Sequence, residues 1–193
     1  MRFDAIALTP ENSDEFLHTA PFITHVRRRF AAPAEHVWEV VASSRMWSWL
    51  PTVWGCRYPS ATEPAPGVVR DFQMHIFKWL IFAQRERLLE FDPGQMTMCY
   101  TATDATLPVF GSWCEHYRVE PEGTTHATID WTLACAPRYL RRIPGIRWGR
   151  RPVAAVLQPV FYFGLGGLER ELPPAHLDIT VPSRTIETRK GPT

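Results

Sequence analysis

An α+β domain, in which a curved antiparallel sheet grips one long helix, is the fold class that this 193-residue sequence predicts. Three observations carry the prediction. Residues 53–136 read as consecutive strands joined by short links, as an antiparallel meander requires. One long apolar helix, Val153–Leu172, follows them. Two short helices sit between the first strand and the meander, where they close one end of the sheet rather than cross over it. A chain of this length builds one good core. A curled sheet closed by a helix leaves a cavity, and eight Trp and eleven Phe are enough to fill or to line it.

Residues 1–21 carry Pro10, Glu11, Asp14 and Glu15 without sustained periodicity, so they read as an N-terminal arm with a helical turn at Ser13–His18. Phe22–Phe30 alternates, with Thr24, Val26, Arg28 and Phe30 on one face and Ile23, His25, Arg27 and Arg29 on the other. Alternation leaves open which face is inside. Pro33 suits the first turn of a helix in which Val37, Val40 and Val41 fall at helical spacing. Ser43 or Ser44 can cap a second short helix, which runs through Trp49 and stops at Pro51.

Six strands follow: Val53–Tyr58, Val68–His75, Leu80–Phe91, Met96–Thr103, Gly111–Glu120 and Thr125–Ala136. Asp92-Pro93-Gly94 and Glu120-Pro121-Glu122-Gly123 are clear turns, whereas the hairpin around Ile76–Trp79 lacks a turn dipeptide. Residues 137–151 hold Arg138, Arg141, Arg142, Arg147, Arg150 and Arg151. They read as a solvated basic connection or as a patch for an anionic partner or an anionic membrane surface. In the last helix Val153, Val156, Leu157, Val160, Phe161, Gly164, Leu165 and Leu168 make a broad apolar face, and Pro159 removes one backbone donor. Its apolar run, interrupted by Gln158, is shorter than the ~20 residues of a membrane span. The segment from 173 onward reads as a polar, flexible tail.

A net charge of +1 offers no field for nucleic acid. Four cysteines (Cys56, Cys99, Cys114, Cys135) fall in strands with no CxxC spacing, and no HxxxH occurs, so buried free thiols are expected and a metal site is not. No signal peptide, phosphate-binding glycine loop or Gly-x-Ser-x-Gly elbow is present, and a cytoplasmic protein without cofactor is the expectation.

Across residues 22–172 a series of short motifs occurs in a fixed order: Ala32-Pro33 with Val37-Trp38, Trp49-Leu50-Pro51, Gly67-Val68-Val69-Arg70, Glu86-Arg87-Leu88 with Asp92, Tyr100, Leu107-Pro108, and Thr125 with Trp131. The series resembles the polyketide cyclase/dehydratase (SRPBCC) branch of the START-like, Bet v 1-like superfamily. That resemblance implies a helix-grip fold: a seven-stranded antiparallel sheet wrapped around a C-terminal helix, with an apolar cavity between them for a small hydrophobic partner. Aromatic polyketide cyclases, lipid carriers, plant allergens and abscisic acid receptors share it. In the receptors the glutamate of the Glu-Arg-Leu turn faces the ligand, and Glu86 is its match. By the same similarity Tyr100, Glu115, Tyr117 and Asp130 look into the cavity, with Val156, Val160 and Gly164 from the helix. The receptors' ligand-pairing lysine is absent, and Trp79-Leu80-Ile81-Phe82 replaces their gate, so a hormone-receptor role is not implied.

The residues themselves offer further readings. On one parity Phe82, Gln84, Glu86, Leu88 and Glu90 share a face, and inside the sheet Glu86 would hold a proton near neutral pH. On the other parity it is solvated and paired with Arg85 or Arg87. Trp113, Glu115, Tyr117 and Val119 also share a face. Glu86, Glu115 and Tyr117 are therefore candidates for acid–base catalysis on a carbonyl-rich substrate, or for orienting a ligand, or for internal pairing with Arg28. Alternation places Ile129 and Trp131 toward the core and sets Asp130 against the inward position that the resemblance implies. His75, at the hairpin, is either a base at the cavity mouth or a surface residue. Three functions follow: a small-molecule binding protein, a cyclase or dehydratase, and a membrane-docking carrier using the arginine cluster.

Overall fold

The computed structural model describes residues 1–58, 63–138 and 150–173, the last of these as backbone only over 150–157. Eight strands form one antiparallel sheet: β1 (Phe3–Asp4), β2 (Phe22–Phe30), β3 (Val53–Arg57), β4 (Val69–Ile76), β5 (Trp79–Asp92), β6 (Thr97–Ala105), β7 (Phe110–Glu122) and β8 (His126–Pro137). Seven of them run in the order β2-β8-β7-β6-β5-β4-β3, and β1 pairs with the far end of β6. That placement has a simple cause. β6 pairs with β7 only over Thr97–Thr101, so Asp104 and Ala105 are left for β1 to bond. Among the described residues three helices accompany the sheet: α1 (Pro10–Thr19), α2 (Ala34–Val41) and α3 (Arg150–Gly166), the last followed by a 3-10 turn at Gly167–Arg170.

Register shifts between Met74 and His75, Arg85 and Glu86, Leu88 and Glu90, and Phe110 and Ser112 bend the strands, as an extra residue on one side of a ladder does. The curled sheet encloses its core on the concave side. There Val26, Phe30, Leu88, Tyr100, Ile129 and Trp131 pack with Val37, Val40 and Val41 of α2 and with Leu165 and Leu168. α3 lies along β2 and is held by polar contacts at several points: Gln158 donates to the His25 carbonyl (3.0 Å), and Arg28 donates to the Tyr162 carbonyl (3.1 Å) and the Glu169 carboxylate (3.0 Å). On β2 the face carrying Thr24, Val26 and Phe30 is the buried one.

Three expectations change. The N-terminal stretch holds β1 and a ten-residue helix, α1, whose Leu17 packs with Leu8, Leu89, Cys99, Cys114 and Ala134 in a second apolar cluster. The second short helix does not form. Met46, Ser48 and Leu50 instead donate to Ser43, Arg45 and Trp47 in separate turns, and Trp47 has φ 65. Gly55 (φ +79) lets β3 approach those turns, because a Cβ there would run into the Ser44 carbonyl oxygen. Glu90 leaves the face it shares with Glu86 by alternation. The shift after Leu88 turns it to solvent and brings Phe91 against the main core. All four cysteines are buried free thiols. Of the basic connection, Arg141, Arg142 and Arg147 lie outside the described residues, as do the side chains of Arg150 and Arg151.

Candidate ligand cavity

Between the concave face and α3 lies a cavity of about 550 Å³, inside the range of small-molecule sites. Phe72, Met74 and Phe82 form one apolar wall from the β4–β5 hairpin, and Phe110, Trp113, Trp131 and Leu133 form another from β7 and β8. α3 contributes Val160, Phe161 and Gly164, and the turns before β3 contribute Trp47, Leu50 and Val53. Trp47 owes its inward position to its left-handed backbone. The ring packs on Trp131 at 5.1 Å and on Trp49 at 5.3 Å. A bulky residue in that region is a strained one, and such strain clusters at functional sites.

Four polar side chains reach the lining: Gln84, Glu86, Tyr100 and Glu115. The alternation of β5 turns Phe82, Gln84 and Glu86 inward together. Glu86 Oε2 accepts from Arg70 Nε at 2.7 Å, and Oε1 accepts from Gln84 Nε2 at 2.8 Å. Burial pushes the Glu86 carboxyl up to about 7; the Arg70 guanidinium opposes the rise and the Glu115 carboxylate adds to it. Arg70, fully buried behind the lining, stands over the Tyr100 ring at 4.2 Å, and the thioether sulfurs of Met46 and Met98 lie 3.7 and 3.8 Å from its terminal nitrogens.

Glu115 is the centre of a second group. It accepts from Trp113 Nε1 (2.7 Å), the Tyr117 hydroxyl (2.8 Å) and Trp131 Nε1 (2.8 Å). Burial raises its pKa, and hydrogen bonds from Tyr100, Tyr117, Trp113 and Trp131 pull the other way. Tyr117 is stacked between Tyr100 (6.1 Å) and Trp131 (5.4 Å). Its hydroxyl points at Glu115, and the residue stands behind the lining rather than in it.

Of the residues expected in the cavity, Glu86, Tyr100, Trp113, Glu115, Val160 and Gly164 line it, and the side chain of Val156 falls outside the described residues. Asp130 is a correction. Ile129 and Trp131 face the core, so Asp130 points outward and its carboxylate meets His25 Nε2 at 2.7 Å. Arg28 pairs with Glu169 in the turn after α3, and donates to the Tyr162 carbonyl of α3, rather than meeting the cavity carboxylates. His75 stacks on Trp54 at 3.9 Å, away from the lining. The residue that sequence reasoning missed is Arg70. Alternation puts it on one face with Phe72 and Met74, but only the pairing of β4 with β5 sets it opposite Glu86. No group of three or more metal-ligating side chains exists among the described residues.

Residues 22–173 match the model of the family described as polyketide cyclase / dehydrase and lipid transport. The chain belongs to this family. A search of curated proteins finds no match to it. Its fold is that of several solved relatives in structure. The Zhui aromatase/cyclase from Streptomyces sp. R1128 is 19 % identical with a TM-score of 0.55, over 80 % of this chain and 98 % of that one. A START superfamily protein from Mycobacterium smegmatis is 15 % identical with a TM-score of 0.57, over 78 % of this chain and 96 % of the other. A Thermobifida fusca protein is 25 % identical with a TM-score of 0.57, over 77 % and 91 %. Together these place the sheet, α3 and the space between them in the START-like helix-grip fold. For this family member, the cavity offers an apolar enclosure with two buried carboxyl groups, one of which changes charge near neutrality.

Proposed function

We propose that this protein binds a small, uncharged, largely apolar molecule that carries a hydroxyl group, of the polyketide, phenolic or lipid-alcohol kind. The observation that supports it is the polarity of the cavity floor. Every hydrogen bond recorded for the polar lining residues Gln84, Glu86 and Glu115 ends on one of the two carboxyl groups, whose partners Arg70, Trp113, Tyr117 and Trp131 are thereby used. The two carboxyl groups leave acceptor oxygen toward the cavity, and the Tyr100 hydroxyl beside them is turned to Glu115, so the floor rewards a donor hydroxyl and penalises a carboxylate. The apolar walls supply the affinity and the floor supplies the orientation.

Thermal shift with matched pairs tests this: 2-naphthol against 2-naphthoate, and dodecanol against dodecanoate. The hydroxyl member of each pair should stabilise the protein and the carboxylate should not. Equal or stronger stabilisation by the acids, or none by any member, would overturn it.

A second reading is favoured by the Glu86 pKa of about 7 at the cavity surface and by the likeness to an aromatase/cyclase. In it Glu86 exchanges a proton with a bound carbonyl-rich substrate, Glu115 is the second carboxyl group, and Tyr117 positions Glu115 through its hydroxyl. Glu86→Gln would then lower turnover of a poly-β-carbonyl substrate by about a hundred-fold or more, with affinity changed only a few-fold. Parallel loss of both assigns Glu86 to binding alone.

A further inference from the structure

The β4–β5 hairpin outruns both of its neighbours in the sheet. β3 pairs no further along β4 than Met74, with one more bond from His75 to the Thr52 carbonyl, and β6 ends at Ala105 opposite Gln84. Residues 76–81 therefore project as a two-stranded ribbon. Its sequence is Ile-Phe-Lys-Trp-Leu-Ile, with Phe77 90 % exposed and Trp79 70 % exposed. Phe77 also has φ 53, a turn conformation that glycine or asparagine adopts with less strain. A large apolar side chain thus occupies the tip at both a conformational and a solvation cost.

Two features choose between possible occupants. First, the ribbon is apolar on both faces. The register shift between Met74 and His75 sets Leu80 opposite His75 on one face and Trp79 opposite Ile76 on the other, and Ile76, Trp79 and Leu80 are all exposed. A partner protein with one surface covers one face; a lipid layer surrounds both. Second, the ribbon stands at the cavity mouth. Val109 and Val160 line the cavity yet are more than half exposed, so the opening lies between them, and Phe82 continues the lining into the hairpin. Along segments 76–82, 106–110 and 158–164 the one charged side chain is Lys78, and there is no carboxylate to be repelled by anionic headgroups. Aromatic residues beside a lysine are the composition that settles at a bilayer interface.

We propose that the β4–β5 ribbon inserts into the interfacial layer of a phospholipid bilayer, anchored by Phe77 and Trp79, and sets the cavity mouth against the lipid. An apolar ligand then passes between cavity and membrane without crossing water. The surface is distinct from the arginine-rich connection, and the inference does not depend on which ligand the cavity holds.

The test is flotation of the full chain with phosphatidylcholine vesicles, with and without phosphatidylglycerol, for the wild type, Phe77→Ser/Trp79→Ser and Lys78→Glu. The wild type should float. The double variant should lose about ten-fold or more in vesicle partition while keeping its melting temperature and its response to naphthol in vesicle-free buffer. Lys78→Glu should lose binding selectively on the anionic vesicles. A wild type that stays in solution, or a double variant that floats equally, overturns the proposal. So does wild-type self-association in analytical ultracentrifugation that the same two substitutions abolish, since the ribbon is then a contact between copies. Loss of the naphthol response in the wild type would sink the cavity reading instead and leave the flotation result standing.

Discussion

Burial in the cavity wall holds the Glu86 carboxyl well above the range of an exposed glutamate, and the Arg70 guanidinium beside it offsets only part of the rise. The Glu86 pKa rises from 4.5 to about 7 on folding, so between those values the native chain holds a proton that the unfolded chain has released. Stability is therefore greatest below pH 4.5 for this group and falls as pH rises through 7. The fall amounts to roughly 3 kcal/mol at most by linkage. Denaturant unfolding at a series of pH values should show this slope in the wild type and a shallower one in Glu86→Gln. Glu115, raised in the same direction, keeps the slope from vanishing. Arg70→Met leaves Glu86 buried without its partner. It should cost about 3–5 kcal/mol at pH 8, and adding Glu86→Leu should recover most of the loss, because a buried pair replaced by apolar groups is often close to neutral. The same unfolding curves measure both. A double variant as unstable as Arg70→Met alone would mean that the arginine acts through its contacts with Tyr100, Met46 and Met98.

The element that closes the cavity, α3, is seated by small residues at its C-terminal end. A Cβ on Gly167 would run into the Trp49 ring, whose Nε1 donates to the Gly164 carbonyl at 2.9 Å. A Cβ on Gly166 would meet the end of the Arg28 guanidinium at 2.5 Å. The indole is rigid and wedged beside Trp47; the guanidinium can swing away. Gly167→Ala should accordingly destabilise by about 2–3 kcal/mol and weaken ligand binding, since Trp47 lines the cavity. Gly166→Ala should cost about 1 kcal/mol or less, the loss of a half-exposed ion pair. Thermal melts and naphthol titrations compare the two, and equal effects would show that the Trp49 wedge does not set the helix. At this scale the sequence was legible in outline. Strand alternation and the apolar stripe of Val160, Gly164, Leu165 and Leu168 mark the walls, whereas the serine cap at Ser43 or Ser44 and the stop at Pro51 are signals of a helix through Trp49 that the backbone, with its separate turns and the positive φ of Trp47, does not follow.

For the whole molecule, ligand and fold stability are linked. A ligand at a hundred times its Kd adds about 2.7 kcal/mol to a binding-competent native state, which for a chain of this size raises Tm by about 5–10 °C. Hydroxyl-bearing ligands should reach that shift at saturation in differential scanning fluorimetry, and the shift should persist in the ribbon double variant, whose changes lie outside the cavity. α1 gives the molecule a second, smaller core on the outer face of β7 and β8, so the sheet is covered on both sides over that region while its β4–β5 corner stays bare.

Alternation and turn chemistry are local, and they alone determined the number and order of the main strands, the inward face of β8 at Ile129 and Trp131, and the helix that closes the sheet. The tertiary structure decided everything that depends on register. It set Arg70 opposite Glu86, turned Glu90 outward after a one-residue shift, placed Tyr117 behind Glu115, and sent Asp130 to His25. The physical reason is that a strand's inner face is a property of its own sequence only until a bulge interrupts it. Which charge meets which across the sheet is a property of pairing between residues far apart in the chain.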